Sequence, residues 1–270
     1  AIAMEPPCGP VHVELPIGVA RAADRAPSVR LRAGLGAASD ARAAEAGVSL
    51  AGYQRRVDMF PTNACGWQGL GDLGGTNTVA WVNGLMTLQV VGHELGHNYG
   101  LYHAHSLDCA STVFDVPGAT CARYSYGDGA DLMGNINTGQ FNPFEKEELG
   151  WLNDGISPPI TTVTTSGRYS IEPYSAGTVG PKALKIPRAI DPLGRKLWTY
   201  VEYRQPIGGD SVLGNTGNLT QGVLVRIAAE GNPDSSFQLD MTPGSSTSYL
   251  NEMADGALAV GQSVYDPDSG

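Results

Sequence analysis

The sequence is poor in charge, and above all in positive charge. Only 16% of its 270 residues are charged, and 17 basic residues face 27 acidic ones, which gives a net charge of −10. Because nucleic-acid binding requires a basic surface, this balance argues against a nucleic-acid partner. No apolar run approaches the roughly 18 residues of a membrane span. The chain also lacks a strict sequence period, which excludes collagen-like and coiled-coil structures.

Apolar residues are plentiful, and so are residues that form turns. Apolar side chains make up 41% of the sequence, with 36 glycines and 18 prolines. A chain of this length corresponds to one large or two small domains at roughly 100–200 residues each. The composition therefore predicts a folded protein with a sizeable core, many turns and short strands.

The four cysteines and the scarcity of lysine favour a secreted chain with two disulfides. Cys109 and Cys121 are close in sequence and flank a polar loop, so we pair them. Cys8 and Cys65 then pair by elimination. Two alternatives stay open: four free thiols in a cytosolic protein, and a latent enzyme in which the Cys8 thiolate covers a metal.

The first part of the chain mixes helix and strand signals. Helical spacing of apolar residues is clearest before Gly100, and Asn142 followed by Pro143 is typical of a helix start. The predicted strands are Val11–Leu15, Arg30–Leu35, Arg55–Phe60 and Val79–Val82, and the predicted helices are Ser39–Gln54, Leu85–Tyr99 and Pro143–Gly150. We expect a glycine-rich loop at residues 65–78 and little regular structure between residues 101 and 142.

Beyond Trp151 the sequence pattern changes to short strand-like segments at even spacing. This pattern is typical of an antiparallel β-sandwich. The predicted strands are Thr161–Thr165, Tyr169–Glu172, Ala183–Ile186, Leu197–Tyr203, Gly222–Ile227 and Ala257–Val264. The sequence therefore predicts an α+β protein. A first domain at residues 1–152 has a mixed sheet and a helix that carries the site. A β-sandwich-like domain follows at residues 153–270.

The chemistry is concentrated in residues 93–103, which follow the pattern H-E-x-x-H-x-x-G-x-x-H. His93 and His97 are four residues apart, so both imidazoles leave the same face of a helix. Gly100 permits a positive φ and a sharp turn after the helix. That turn returns His103 as a third ligand.

Three histidine nitrogens with one open coordination position describe a catalytic zinc site. Zinc acidifies water and polarises a carbonyl oxygen, and Glu94 is the candidate general base and acid. Chance produces the full pattern in a chain of this length with a probability on the order of 10⁻⁵. The motif thus predicts a zinc-dependent endopeptidase that acts on proteins or peptides without a covalent intermediate.

The extended motif resembles the metzincin metallopeptidases. In that group a methionine in a tight turn lies beneath the metal, which assigns this role to Met133 in Asp131-Leu132-Met133-Gly134. Together with residues 65–71, 126–134, 141–152 and 200–204, the motif is similar to the gametolysin family and its bacterial relatives, with some likeness to immune-inhibitor-A-type peptidases. The resemblance implies a secreted zinc endopeptidase followed by a β-rich domain. Asn135 departs from relatives that have a tyrosine ligand two residues after the methionine.

Other residues admit a second interpretation. His105 could replace His103 as a ligand, although the spacing after Gly100 favours His103. Asp128, Asp131, Asp266 and Asp268 could bind calcium, but they do not form a full calcium loop, so we expect solvated turn carboxylates.

The remaining alternatives concern the second half of the chain and the activity itself. Glu202 and Arg204 lie on one face of a strand, and we expect them to form a structural ion pair. The alternative function is a silent or latent metzincin-like protein that binds or adheres through its β-domain. The intact Glu94 argues against that alternative. The sequence does not indicate the oligomeric state.

Overall fold

The computed structural model describes residues 37, 39–115, 120–134, 139–152, 159–245 and 253–269. The chain divides into two compact units, residues 1–101 and 102–270. The predicted strands Val11–Leu15 and Arg30–Leu35, and Cys8, lie outside the described residues. In the part that is described, no helix has both the length and the apolar character needed to cross a bilayer.

The first unit combines two helices with a three-stranded sheet. Residues 39–45 form helix α1. The strands are β1 (Arg55–Phe60), β2 (Gly69–Gly71) and β3 (Thr78–Asn83), and the second helix is α2 (Leu88–Asn98). The strand order is β1-β3-β2, with β3 parallel to β1 and antiparallel to β2. All six residues of the central strand β3 are buried, which makes it the core of this unit.

The second unit is built on one mixed sheet. Its elements are β4 (His105–Asp108), β5 (Ala122–Tyr124), α3 (Pro143–Glu148), β6 (Ile160–Thr162), β7 (Ala183–Ile190), β8 (Lys196–Tyr203), β9 (Gly222–Ala229), β10 (Phe237–Leu239) and β11 (Leu258–Ala259), with a 3₁₀ helix at Gly208–Asn215. The eight-stranded sheet has the order β5-β4-β10-β9-β8-β7-β6, and β11 also pairs with β9. The β4–β10 and β6–β7 pairs are parallel, whereas the other neighbours are antiparallel.

This sheet crosses the domain boundary that the sequence predicts at residues 152 and 153. Strands β4 and β5 precede residue 152, yet they pair into the same sheet as strands beyond residue 159. The compact units accordingly divide at residues 101 and 102 rather than at 152 and 153. Every strand described in the second unit belongs to this one sheet, so the predicted antiparallel sandwich is not seen in the described part of the chain.

Most long elements agree with the sequence predictions, and most short ones do not. The strand Arg55–Phe60 is confirmed, and so is the helix at Pro143, where the Asn142 side chain accepts the Glu145 N–H at 3.1 Å. The first helix is shorter than predicted, because residues 46 and 47 already turn. Tyr169–Glu172 is not a strand.

The strands that the prediction missed are short and depend on distant partners. These are β2, β4, β5 and β10, each of three or four residues. The disulfide between Cys109 and Cys121 is present as predicted. Cys65 is also disulfide-bonded.

Candidate metal centre

Helix α2 presents the first two histidines of the motif. It begins later than predicted, because the Thr87 side chain accepts the Val90 N–H at 3.2 Å and caps the helix at that point. The rings of His93 and His97 lie edge to face, with centroids 4.8 Å apart. The helix ends at Asn98, and Gly100 has a φ of 98°, as the sequence analysis expects for the turn that follows.

The three predicted ligands come together. One ring nitrogen from each of His93, His97 and His103 lies within 4.8 Å of the others. All three side chains are half-buried. Among the described residues no other cluster of three histidines, cysteines or acidic residues could hold a metal. The donor set consists of imidazoles alone, which suits zinc and leaves a position for water or substrate.

A backbone carbonyl orients His97. Its Nδ1 lies 2.8 Å from the Leu101 carbonyl oxygen, to which it donates a hydrogen bond. The proton on Nδ1 leaves Nε2 as the nitrogen available to a metal. Burial lowers the pKa of His97, partly offset by this hydrogen bond. The turn at Gly100 therefore also sets the tautomer of a candidate ligand on the helix.

Glu94 lies on the same helix and is only 7% exposed. Burial raises the pKa of its carboxyl group to about 7. Two glycines of β2 make room for it. A Cβ on Gly69 would lie 2.3 Å from Glu94 Oε1, and one on Gly71 would lie 2.6 Å from the Glu94 carbonyl oxygen and 3.0 Å from His97 Cβ. Within the predicted glycine-rich loop, residues 69–71 therefore form a strand that packs closely against the helix, which the sequence pattern does not indicate.

Met133 lies in a tight turn in the second unit and is fully buried. Asp131 closes this turn, because its Oδ1 accepts the Met133 N–H at 2.6 Å and its carbonyl accepts the Gly134 N–H at 3.0 Å. The Met133 carbonyl accepts the Ala104 N–H at 3.0 Å. The turn is thus bonded to the residue that directly follows His103.

His105 does not join the triad. Its Nε2 lies 2.9 Å from Asp234 Oδ1, its Nδ1 lies 3.2 Å from the Ser125 carbonyl oxygen, and its ring stacks on Phe237. Both nitrogens therefore have partners away from the triad, and the preference for His103 agrees with the geometry.

The prediction that Asp128 and Asp131 are solvated turn carboxylates is wrong, since both are fully buried. Asp128 accepts two hydrogen bonds from the Arg226 guanidinium, which takes the place that a calcium ion would have at this carboxylate. Asp131 shares a hydrogen bond with Glu145. Asp266, 78 residues beyond Arg188, forms an ion pair with that arginine.

The expected ion pair between Glu202 and Arg204 is confirmed, at 2.7 Å. It belongs to a larger network, because Arg204 also bonds Asp210 at 2.6 Å and Glu202 also bonds Arg226. Asp210 lies in the 3₁₀ helix and Arg226 lies in β9. The spacing that predicts the Glu202–Arg204 pair therefore does not indicate these further partners.

Comparison with known proteins finds similarity in the part of the chain that contains the histidine triad. The gametolysin peptidase M11 family matches residues 34–167, about half of the sequence. Autolysin of Chlamydomonas reinhardtii is 26% identical over 148 residues, which cover 47% of this chain and 21% of that protein. The chain thus matches about a fifth of the relative's length. No solved structure matches the chain significantly. Through residues 34–167, the chain belongs to the gametolysin peptidase family M11.

Proposed function

We propose that this protein is a secreted zinc-dependent endopeptidase in which His93, His97 and His103 bind the metal and Glu94 is the general base and acid. Membership of family M11 indicates metallopeptidase activity on protein substrates. The observation that carries the zinc assignment is the cluster of three imidazole nitrogens within 4.8 Å of one another. The Cys109–Cys121 disulfide supports secretion, because disulfides persist in oxidising compartments.

The residues present fit one zinc ion. Three neutral imidazoles supply three of the four positions of a catalytic zinc site and leave the fourth open. When bound, zinc supplies a Lewis acid that polarises a carbonyl oxygen and acidifies water at neutral pH. The half-buried histidines and buried Glu94 give that chemistry a partly water-excluded setting.

Glu94 transfers the proton of the attacking water. Its carboxylate takes a proton from the attacking water and delivers it to the nitrogen that leaves the scissile peptide bond. Gly69 and Gly71 let β2 approach so closely that the carboxylate is confined between strand and helix. In the described sheet of the first unit, β2 is one of the two edge strands, and it is the one whose glycines lie against Glu94. An extended peptide can pair with such an edge, which suits a substrate cleaved within its chain.

Met133 provides a buried apolar side chain in the turn that is bonded to Ala104. We assign to it the packing role beneath the histidines that the metzincin resemblance implies, without a role as a ligand. Asp131 would then act on the site by closing that turn.

The first experiment compares wild type with Glu94→Gln. Bound zinc and cleavage of casein are measured on the same preparations, with and without a chelator. We expect one zinc in both proteins, chelator-sensitive cleavage by wild type, and a loss of about 10²–10⁴-fold in the variant. Glu45→Gln serves as the matched control, because Glu45 is an exposed glutamate of the same unit.

Two results would contradict the proposal. If wild type binds no zinc, the three histidines do not form a zinc site. If Glu94→Gln cleaves casein as fast as wild type, Glu94 is not the general base, although the metal centre is unaffected.

A second pair of variants tests the confinement of Glu94. Gly69→Ala places a methyl group 2.3 Å from Glu94 Oε1, so the carboxylate must move, whereas a Cβ on Gly66 meets nothing within 4 Å. Displacement of a catalytic group by about 1 Å can cost on the order of 10²-fold in rate. We therefore expect Gly69→Ala to lose cleavage but keep zinc, and Gly66→Ala to behave as wild type. Equal activity in both variants would contradict the proposed position of Glu94.

A further inference from the structure

His103 differs from the other two ligands in how its position is maintained. His93 and His97 belong to α2, whereas His103 follows the turn at Gly100 and precedes β4. A ligand outside regular structure needs support from other residues if it is to present one nitrogen in a fixed direction. The described contacts of His103 involve two consecutive residues, Ser125 and Tyr126.

These contacts engage the His103 ring in two different ways. Ser125 Oγ lies 3.5 Å from His103 Nδ1. The Tyr126 ring lies against the imidazole with centroids 3.9 Å apart and planes tilted by 36°. The first contact engages a ring nitrogen and the second engages the ring face. Together they restrict the rotation of the ring and place a hydroxyl group at Nδ1.

The backbone around these two residues is itself fixed to the strand that follows His103. The Asp128 N–H donates to the Ala104 carbonyl at 3.3 Å, and the Ser125 carbonyl accepts from His105 Nδ1 at 3.2 Å. A Cβ on Gly127 would lie 1.9 Å from Ser106 Oγ, so the backbone passes directly over β4. The segment 125–128, which we call the support loop, is therefore held in place independently of any metal.

His97 shows what such a contact achieves. Its Nδ1 is engaged by the Leu101 carbonyl, which leaves Nε2 as the ligand nitrogen. A hydroxyl oxygen that accepts from an Nδ1–H of His103 has the same consequence. Ser125 Oγ is the described side-chain oxygen in that position. The two histidines then offer the same nitrogen to the metal although their supports differ.

We propose that Ser125 and Tyr126 are positioning residues that fix the tautomer and the orientation of His103, and thereby set the metal affinity of the site. This inference rests on the proposed function, since it assumes that His103 is a zinc ligand. Tyr126 is 49% exposed and Ser125 is exposed as well, so both can be replaced without opening the core.

The test measures zinc affinity by competition with a chromophoric chelator, and the visible absorption of the cobalt-substituted protein. Loss of a group that orients a ligand typically costs about 10–100-fold in metal affinity. We expect a loss of that size in Tyr126→Ala and little change in Tyr126→Phe, which keeps the ring face. We expect Ser125→Ala to weaken binding and Ser125→Thr to restore it. Tyr53→Ala, which replaces a tyrosine that is 59% exposed in the first unit, is the control.

The outcomes separate this inference from the proposed function. If wild type binds zinc, and both alanine variants bind it equally tightly with an unchanged cobalt spectrum, the inference is overturned while the zinc centre stands. If Tyr126→Phe loses as much affinity as Tyr126→Ala, the role assigned to the ring face is overturned. If wild type binds no zinc, both the proposed function and this inference fail. Circular dichroism of each variant verifies that a change in affinity is not a loss of fold.

Discussion

The two faces of the eight-stranded sheet differ in their chemistry and in how completely they are buried. One, which we call the charged face, carries Glu202, Arg226 and Gln238, each fully buried. The other, the aliphatic face, carries Val201, Val225 and Leu239 in a hydrophobic cluster. The alternation of side chains along each strand separates the two sets, so that consecutive residues of β9 point to opposite environments. The same sheet therefore borders a charged core on one side and an aliphatic core on the other.

The charged face bears the polar groups that are connected to the turn of Met133. Five buried carboxyl groups and two buried guanidinium groups meet there: Asp128, Asp131, Glu145, Glu202, Asp210, Arg204 and Arg226. Asp131 links this network to the turn through the Met133 N–H and to α3 through the Asn142 N–H. Carboxyl groups outnumber guanidinium groups, so the network depends on protonation as well as on ion pairs.

The aliphatic face is simpler and less completely filled. Val225, Val201 and Val223 form part of the wall of a cavity of about 430 Å³, together with residues 163–166, 264–266 and 269. Hydrophobic burial has no preferred direction, whereas a buried ion requires a partner at a defined position. We therefore expect the loss of one side-chain group to lower the free energy of unfolding more on the charged face than on the aliphatic face.

The largest effect is expected from Arg226→Met. The substitution leaves the carboxylates of Asp128 and Glu202 without one of their cations, and breaking a buried pair costs about 3–5 kcal/mol. The free energy of unfolding from urea titration measures it. Arg195→Met is the control, because its side chain is 34% exposed in a pair with Asp191, and such pairs contribute about 0–1 kcal/mol. Similar losses in both variants would contradict the distinction between buried and exposed pairs.

A smaller effect is expected from Val225→Ala, the preceding residue in the chain but on the opposite face. The change removes two methyl groups from a side chain that is 3% exposed, at about 0.8 kcal/mol for each buried group. Because Val225 already borders a cavity, little further loss of packing should follow. We expect a decrease of about 1–2 kcal/mol in the free energy of unfolding. A loss larger than that of Arg226→Met would reverse the comparison.

The last effect is a change in the slope of stability against pH, which is smaller within any one pH unit than the loss expected from Arg226→Met. Burial, followed by the charge of Asp128, raises the pKa of Asp131 to about 7, and burial together with Asp131 raises the pKa of Glu145 well above its usual value. Groups with raised pKa values stabilise the fold at low pH, and that contribution is lost as pH rises from about 4 through about 7 and beyond. One proton accounts for at most about 1.4 kcal/mol per pH unit.

Glu145→Gln tests this slope. The amide can donate to Asp131 as the protonated acid does, so we expect the variant to lose less stability than wild type between pH 5 and pH 8. Urea unfolding in excess chelator is the measurement, with Glu45→Gln as the control. Parallel pH profiles for wild type and Glu145→Gln would show that the carboxyl pair does not share a proton.

The candidate site was predictable from the sequence to the extent that its parts are local. His93, His97 and His103 are brought together by a helix and one turn, so their spacing carries the geometry. The helix cap at Asn142 and the positive φ at Gly100 are also local features, so the sequence predicts them as well. The start of α2 was misplaced because Leu85 and Met86 continue the apolar pattern, although both are exposed before the Thr87 cap.

The supports of the site were not predictable, because they depend on residues distant in sequence. Gly69 contacts Glu94 from a strand of three residues, too short to show alternation. Tyr126 reaches His103 only because residues 125–128 fold back over β4. The local sequence predicts a solvated Asp131, since nothing near it indicates the hydrogen bond with Glu145 or the charge of Arg226.

The spacing of the three histidines, the candidate base, the principal helices and the Cys109–Cys121 pair can be predicted from local sequence, since each depends on neighbours within 12 residues. The pairing of β4 and β5 with the later strands, and the identity of the buried carboxyl groups, become apparent only in the fold. The physical reason is that strand pairing and burial are set by contacts between distant segments. Local periodicity shows which face of a segment is apolar but not which partner covers it.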